Sequence, residues 1–131
     1  MEKTANETAA LFDLKPHPFD GWFAPVLTDK PGLTRFHYLS KAGEYAAWHR
    51  TTGPILLTHI DGAPLTLTTS ENGVTARNQL LKPGASSSGT IEAGVWRTWE
   101  TLGLWTLLIV STEKAAYFLD WDLAPDNWYP G

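Results

Sequence analysis

A chain of 131 residues with four histidines, scattered carboxylates and hydroxyls and no cysteine has a restricted chemical vocabulary. The missing thiols remove disulfide staples, thiolate metal ligands and a cysteine nucleophile together. What remains is proton transfer by histidine, hydrogen bonding by hydroxyls, and anion binding by arginine, whose planar guanidinium stays charged and offers donors only. His37, His49 and Arg97, with Tyr45 shortly before His49, are the candidates for such work.

Simpler roles account for many of the others. His17 is wedged between Pro16 and Pro18 and reads as a structural turn residue. His59 shares a strand face with Leu57 and Ile55, which suits a core or interface role. Asp120 and Asp122 flank Trp121 as solvated positions on an edge strand would. Seven tryptophans are expected mostly to fill a barrel or a dimer interface.

These side chains need a frame, and the spacing of apolar runs and turn signals predicts one made of strands. Thr4 and Glu7 have the spacing of a capping box, and Ala10, Leu11 and Leu14 make an apolar edge, so Thr4 to Leu14 is read as a short helix. Lys15-Pro16-His17-Pro18 stops it. Strands are expected over Trp22 to Leu27, Thr34 to Leu39, Tyr45 to Arg50, Ile55 to Ile60, Leu65 to Ser70, Gly73 to Leu81, Thr90 to Ala93, Trp96 to Thr101, Trp105 to Ser111 and Tyr117 to Trp121. Turn residues separate the runs, and Glu71-Asn72-Gly73 predicts a tight hairpin because Asn-Gly tolerates the positive φ it requires. Lys82 to Gly89 reads as a flexible surface loop. Many short strands after one helix imply an all-β sandwich or barrel.

Composition narrows the class further. The length and a hydrophobic content of 43% suit a single domain over residues 1–131 with one packed core. A net charge of −4 without a basic stripe argues against nucleic acid. The acidic, polar start lacks a secretory pattern, and no apolar run is long enough to span a bilayer, so a cytoplasmic protein away from membranes is expected.

Two segments then resemble the two motifs of the cupin superfamily. Gly43, His49, Thr51, Ile55 and Gly62 keep the spacing of the first motif, which in metal-binding cupins carries two histidines and a glutamate. Glu92-Ala93-Gly94-Val95-Trp96-Arg97 resembles the second, Pro-x-Gly-x-x-His, with Arg97 in place of the histidine. A fuller likeness is to the DUF985 family of small cupins. It runs from Leu11-Phe12-Asp13-Leu14-Lys15-Pro16-His17-Pro18-Phe19-Asp20-Gly21-Trp22-Phe23 through Trp48-His49-Arg50, Gly62-Ala63-Pro64-Leu65 and Ala93-Gly94-Val95-Trp96 to Phe118-Leu119-Asp120-Trp121-Asp122-Leu123-Ala124. The resemblance implies a double-stranded β-helix, or jelly-roll barrel, with a short N-terminal helix, and a homodimer. Ile55 and Ile60 depart from the family's glutamate and histidine, at what would be the polar wall of the pocket.

A catalytic divalent metal generally needs three protein ligands and an open position. The motif positions supply His49 alone, beside a guanidinium that would repel a cation, so no metal and no cofactor are expected. With Arg97 and His49 pointing inward, as the resemblance to the motifs implies, strand alternation places His37, Tyr45, His49, Arg97 and Trp99 around one pocket, with Trp96 or Trp22 near its rim. Arg97 is also a candidate for a purely structural pair with Glu100 or Glu92. The leading expectation is a metal-free module that binds a small organic ligand, sugar-like or bearing a carboxylate or phosphate. The alternative, drawn from cupins resembling sugar-nucleotide epimerases, is a metal-independent isomerase in which His49 is the base and Tyr45 or Tyr38 the acid. A third reading is a structural dimer whose pocket is vestigial.

Overall fold

The structure, a computed structural model, describes residues 4–16, 21–26, 34–43, 48–51, 53–84, 86–112, 121–125 and 128–130. Among these residues, one helix, α1 (Ala5–Leu11), precedes eleven strands. They are β1 (Lys15–Pro16), β2 (Trp22–Pro25), β3 (Thr34–Lys41), β4 (His49–Thr51), β5 (Ile55–Gly62), β6 (Leu65–Ser70), β7 (Arg77–Leu81), β8 (Ser88–Ile91), β9 (Trp96–Thr101), β10 (Trp105–Thr112) and β11 (Trp121–Leu123).

The strands form two antiparallel sheets, a six-stranded one in the order β1-β2-β3-β10-β5-β8 and a five-stranded one in the order β11-β4-β9-β6-β7. Alternation decides what meets between them. Phe36, Tyr38, Leu57, Leu108 and Val110 of the larger sheet join Leu65, Leu67, Leu81 and Trp99 of the smaller in one buried core. This is the expected all-β, two-sheet jelly roll with a short leading helix.

The larger sheet is buried on its other face too, where Leu39, Trp105 and Leu107 pack with Leu14, Phe12, Ala5, Ala9 and Trp22. Helix α1 is the cover. Its capping box forms as expected, with Thr4 Oγ1 accepting from the Glu7 amide at 3.1 Å and the Glu7 carboxylate accepting from the Thr4 amide at 3.4 Å. Its buried edge differs from the expected one. The helix ends at Leu11, which is 61% exposed, and Asp13 takes a left-handed φ of 53° that turns Leu14 back under the sheet.

Two further departures matter. β6 and β7 pair from Leu65↔Leu81 to Thr69↔Arg77, so residues 70–76 form a long connection in place of a tight turn. There the Asn72 side chain accepts from the amides of Val74 and Thr75, each at 2.8 Å. Asparagine is used to cap a loop through its carbonyl, a role its sequence context with glycine does not distinguish from a hairpin. Along β5 the partners step from Leu108↔His59 to Leu107↔Asp61, leaving Ile60 as the extra residue of a bulge. Ile60 is 44% exposed, so it does not form the expected polar wall; alternation from the inward Leu57 and His59 points it outward.

Candidate functional site

Strands β4 and β9 lie side by side in the smaller sheet, registered with His49 opposite Arg97. β9 alternates so that Arg97, Trp99 and Thr101 enter the interior, while His49 and Thr51 enter from β4. His49 is 1% exposed and Arg97 fully buried. A charge so deep requires hydrogen-bond partners. Arg97 Nη2 donates to Thr51 Oγ1 at 2.6 Å, and Nη1 donates to the Val95 carbonyl at 3.0 Å. The Thr51 hydroxyl sends its own proton to the Gly53 carbonyl at 2.7 Å, which leaves its lone pairs for the guanidinium.

Trp99 is the aromatic wall. The His49 ring meets it edge to face with centroids 5.0 Å apart, and Tyr38 meets it at 5.5 Å and 84°. A Cβ on Gly21, at φ 76°, would overlap the hydroxyl end of Tyr38, so glycine there lets the backbone close over the phenol. On the other flank of Arg97, β6 presents Thr69 in register, and beyond it β7 presents Arg77. An open cavity of about 180 Å³ lies there, among Thr69, Glu71, Arg77, Gln79, Glu92 and Val95. Neither Thr69 nor Arg77 was among the expected site residues, because both are brought to Arg97 by cross-strand register and not by alternation along its own strand.

His49, Arg97 and Trp99 therefore share one face, and His37 does not join them. It lies on β3 between Phe36 and Tyr38, the two that enter the core, and its ring packs on Phe12 beside α1 at 4.9 Å. Burial pushes its pKa below the usual 6.5. Tyr45 lies outside the described residues. The rim assignments also change: Trp96 turns to the outer face beneath Arg50, 4.4 Å from its ring, and Trp22 packs on the larger sheet with Lys41 4.1 Å from its ring. Glu100 faces outward on β9, away from Arg97. His59 is buried and its Nε2 bonds the Ala63 carbonyl at 2.9 Å, in keeping with a structural role.

With this geometry established, comparison with known proteins is decisive for the family. Residues 6–118 match the family described as Cupin superfamily (DUF985). This chain is a DUF985 cupin. The cupin resembles a protein from Shewanella oneidensis at a TM-score of 0.82 and 16% identity, over 94% of this chain and 85% of that one. A hypothetical protein from Leishmania major also scores 0.82 at 16% identity, over 96% and 90%. The capsular polysaccharide assembling protein CapF of Staphylococcus aureus matches at 0.69 and 11% identity, over 84% of this chain and 33% of its own. At these identities the likeness concerns the fold alone. No protein of curated function matches the sequence.

Metal chemistry, which the superfamily suggests, does not fit the donor set at these positions. Thr51 and Arg97 are bonded to each other, and Ile55 belongs to the apolar core. Among the described residues, no three histidine or carboxylate side chains gather where they could hold an ion. Nor, among those residues, is any helix long and apolar enough to cross a membrane.

Proposed function

We propose that this cupin is a metal-free binding module that holds a small organic ligand, sugar-like or bearing a carboxylate or phosphate, on the inner face of its smaller sheet around His49 and Arg97. The observation that carries this reading is the 2.6 Å bond from Arg97 to Thr51, two motif positions where other cupins place metal ligands. It holds a permanent cation in one orientation before any ligand arrives, which lowers the ordering cost of binding an anion. In a dry interior the attraction is also stronger than at the surface. Trp99 adds a planar wall beside the imidazole, suited to a flat or ring-shaped ligand.

The isomerase alternative finds less support. With Tyr38 as the acid it requires that hydroxyl and His49 to reach one ligand atom, whereas the Tyr38 hydroxyl end abuts Gly21 and its ring packs on Trp99, and Tyr45, the other acid considered, lies outside the described residues. Pairing of the barrel into a homodimer belongs to the same proposal, and sedimentation would read it directly.

Calorimetric titration of small carboxylates, sugar phosphates and free sugars into wild type, Arg97→Met and Arg97→Lys tests the site. Loss of a charge-assisted bidentate contact should weaken an anionic ligand by about tenfold or more. Equal affinity in all three proteins would remove Arg97 from the account.

A further inference from the structure

The outer face of the smaller sheet carries a second constellation, separate from the barrel interior. A groove of about 200 Å³ crosses it, lined by Trp48, Thr66, Thr68, Thr98, Trp99 and Glu100. Trp99 points its side chain into the core, so it offers the groove only main chain. The floor is set by register: Thr68 pairs with Thr98 and Thr66 with Glu100 across β6 and β9. Because His49 opposes Arg97, Trp48, just before β4, falls beside Thr98 and forms a wall. Leu67, Arg97 and Trp99 are fully packed immediately beneath, so the floor has little freedom to shift.

Charge narrows the occupant. Arg50, two residues after Trp48, is bonded to Asp122 at 2.8 Å and lies over Trp96, and it does not line the groove. Among the described residues, the one charged side chain that does is Glu100. A carboxylate beside threonine hydroxyls repels anions and accepts hydrogen bonds from hydroxyl donors. The indole of Trp48, held edge to face by Trp128 at 5.7 Å, offers an apolar surface with a polar edge. Ligand pockets for drug-sized molecules run to roughly 300–1,000 Å³, so this groove suits something smaller, such as one saturated ring. A ring with hydroxyls on its edge and C–H bonds on its face satisfies all three surfaces.

We propose that this groove is a binding site for a neutral pyranose, with Trp48 against the ring face, Thr66 and Thr98 bonding its hydroxyls, Thr68, whose own proton goes to Asn78 Oδ1 at 2.7 Å, accepting from one of them, and Glu100 excluding acidic sugars. The site takes the opposite charge preference from the interior around Arg97 and does not depend on that reading.

Titrating the full chain with methyl β-glucoside, methyl β-galactoside and N-acetylglucosamine, with glucuronate and choline as controls, separates the outcomes by NMR. At least one neutral pyranoside should move the threonine methyl signals of Thr66, Thr68 and Thr98 and the indole N–H of Trp48. Glucuronate should bind about tenfold more weakly, and Glu100→Ala should weaken the neutral sugar by about tenfold, as expected for losing a hydrogen bond to a charged group. Thr98→Val keeps the shape of its side chain and should reduce affinity severalfold in a protein whose spectrum stays folded. The proposal is overturned if no neutral sugar moves these signals, if choline moves them instead, or if sugar shifts cluster at the His49 ring and the Trp99 indole. It is equally overturned if the groove signals respond to protein concentration alone, which would mark a second copy as the occupant.

Discussion

The two faces of strand β9 carry opposite chemistries on one stretch of backbone. Inward, Arg97, Trp99 and Thr101 are 0%, 1% and 6% exposed, and the charge is a cation tied to Thr51. Outward, Trp96, Thr98 and Glu100 meet solvent, and the charge is a carboxylate. A unit charge in the interior acts through a far lower effective dielectric than one in water. The inner face should therefore dominate both stability and selectivity for ions, while the outer face should be tolerant of change and selective mainly by shape and hydroxyl pattern.

That contrast can be broken in several ways. Trp99→Ala should cost about 3–5 kcal/mol in chemical denaturation, because a large buried ring leaves a cavity, and Trp96→Ala should cost distinctly less. Similar losses at the two tryptophans would mean the faces are not distinct. Next comes Thr51→Val, which removes the acceptor from a buried guanidinium while keeping the shape of the side chain. It should cost roughly 2–3 kcal/mol, and an unchanged unfolding midpoint would show that Arg97 is held by its other bonds. Outside, a double-mutant cycle on Arg50 and Asp122 should return a coupling of about 1 kcal/mol or less, since 46% and 57% of the two side chains remain exposed. A larger value would make the outer face as demanding as the inner.

The smallest effect concerns the other sheet, where His37 packs half-buried against Phe12 on an outer face. Its pKa in the folded protein lies below 6.5. As pH falls through 6.5, the unfolded chain takes the proton first, so stability should decline until the folded pKa is reached and then level off. Denaturation midpoints between roughly pH 8 and 5 should show this slope in wild type and lose it in His37→Leu. A slope that persists in the variant would assign the titration elsewhere.

Much of the frame was legible because its strands alternate cleanly. Leu65 to Ser70 and Trp96 to Thr101 coincide with β6 and β9 at both ends. The inward set on β9 followed from one assumption, that Arg97 faces the interior. His37 resisted the same logic for a physical reason. Arg35, His37 and Leu39 do share a face, but both faces of β3 are buried, one in the barrel and one under α1, so alternation could not say which was which. The long connection at Asn72 was hidden because Asn-Gly serves tight hairpins and longer capped loops alike. The bulge at Ile60 leaves no mark in composition. The Arg97 to Thr51 bond could be anticipated only by pairing β4 with β9, a contact between segments far apart in the chain.

The extra residue in β5 has a consequence for what the barrel can tolerate. Uninterrupted alternation from Leu57 through His59 would carry Asp61 into the apolar interior; the step at Ile60 sets it opposite Leu107 on the exterior instead, where it is exposed. One amino acid thus acts as a phase shifter that keeps a negative charge out of the lumen. Chain length at this point is as much a determinant of the cavity's polarity as any side chain lining it.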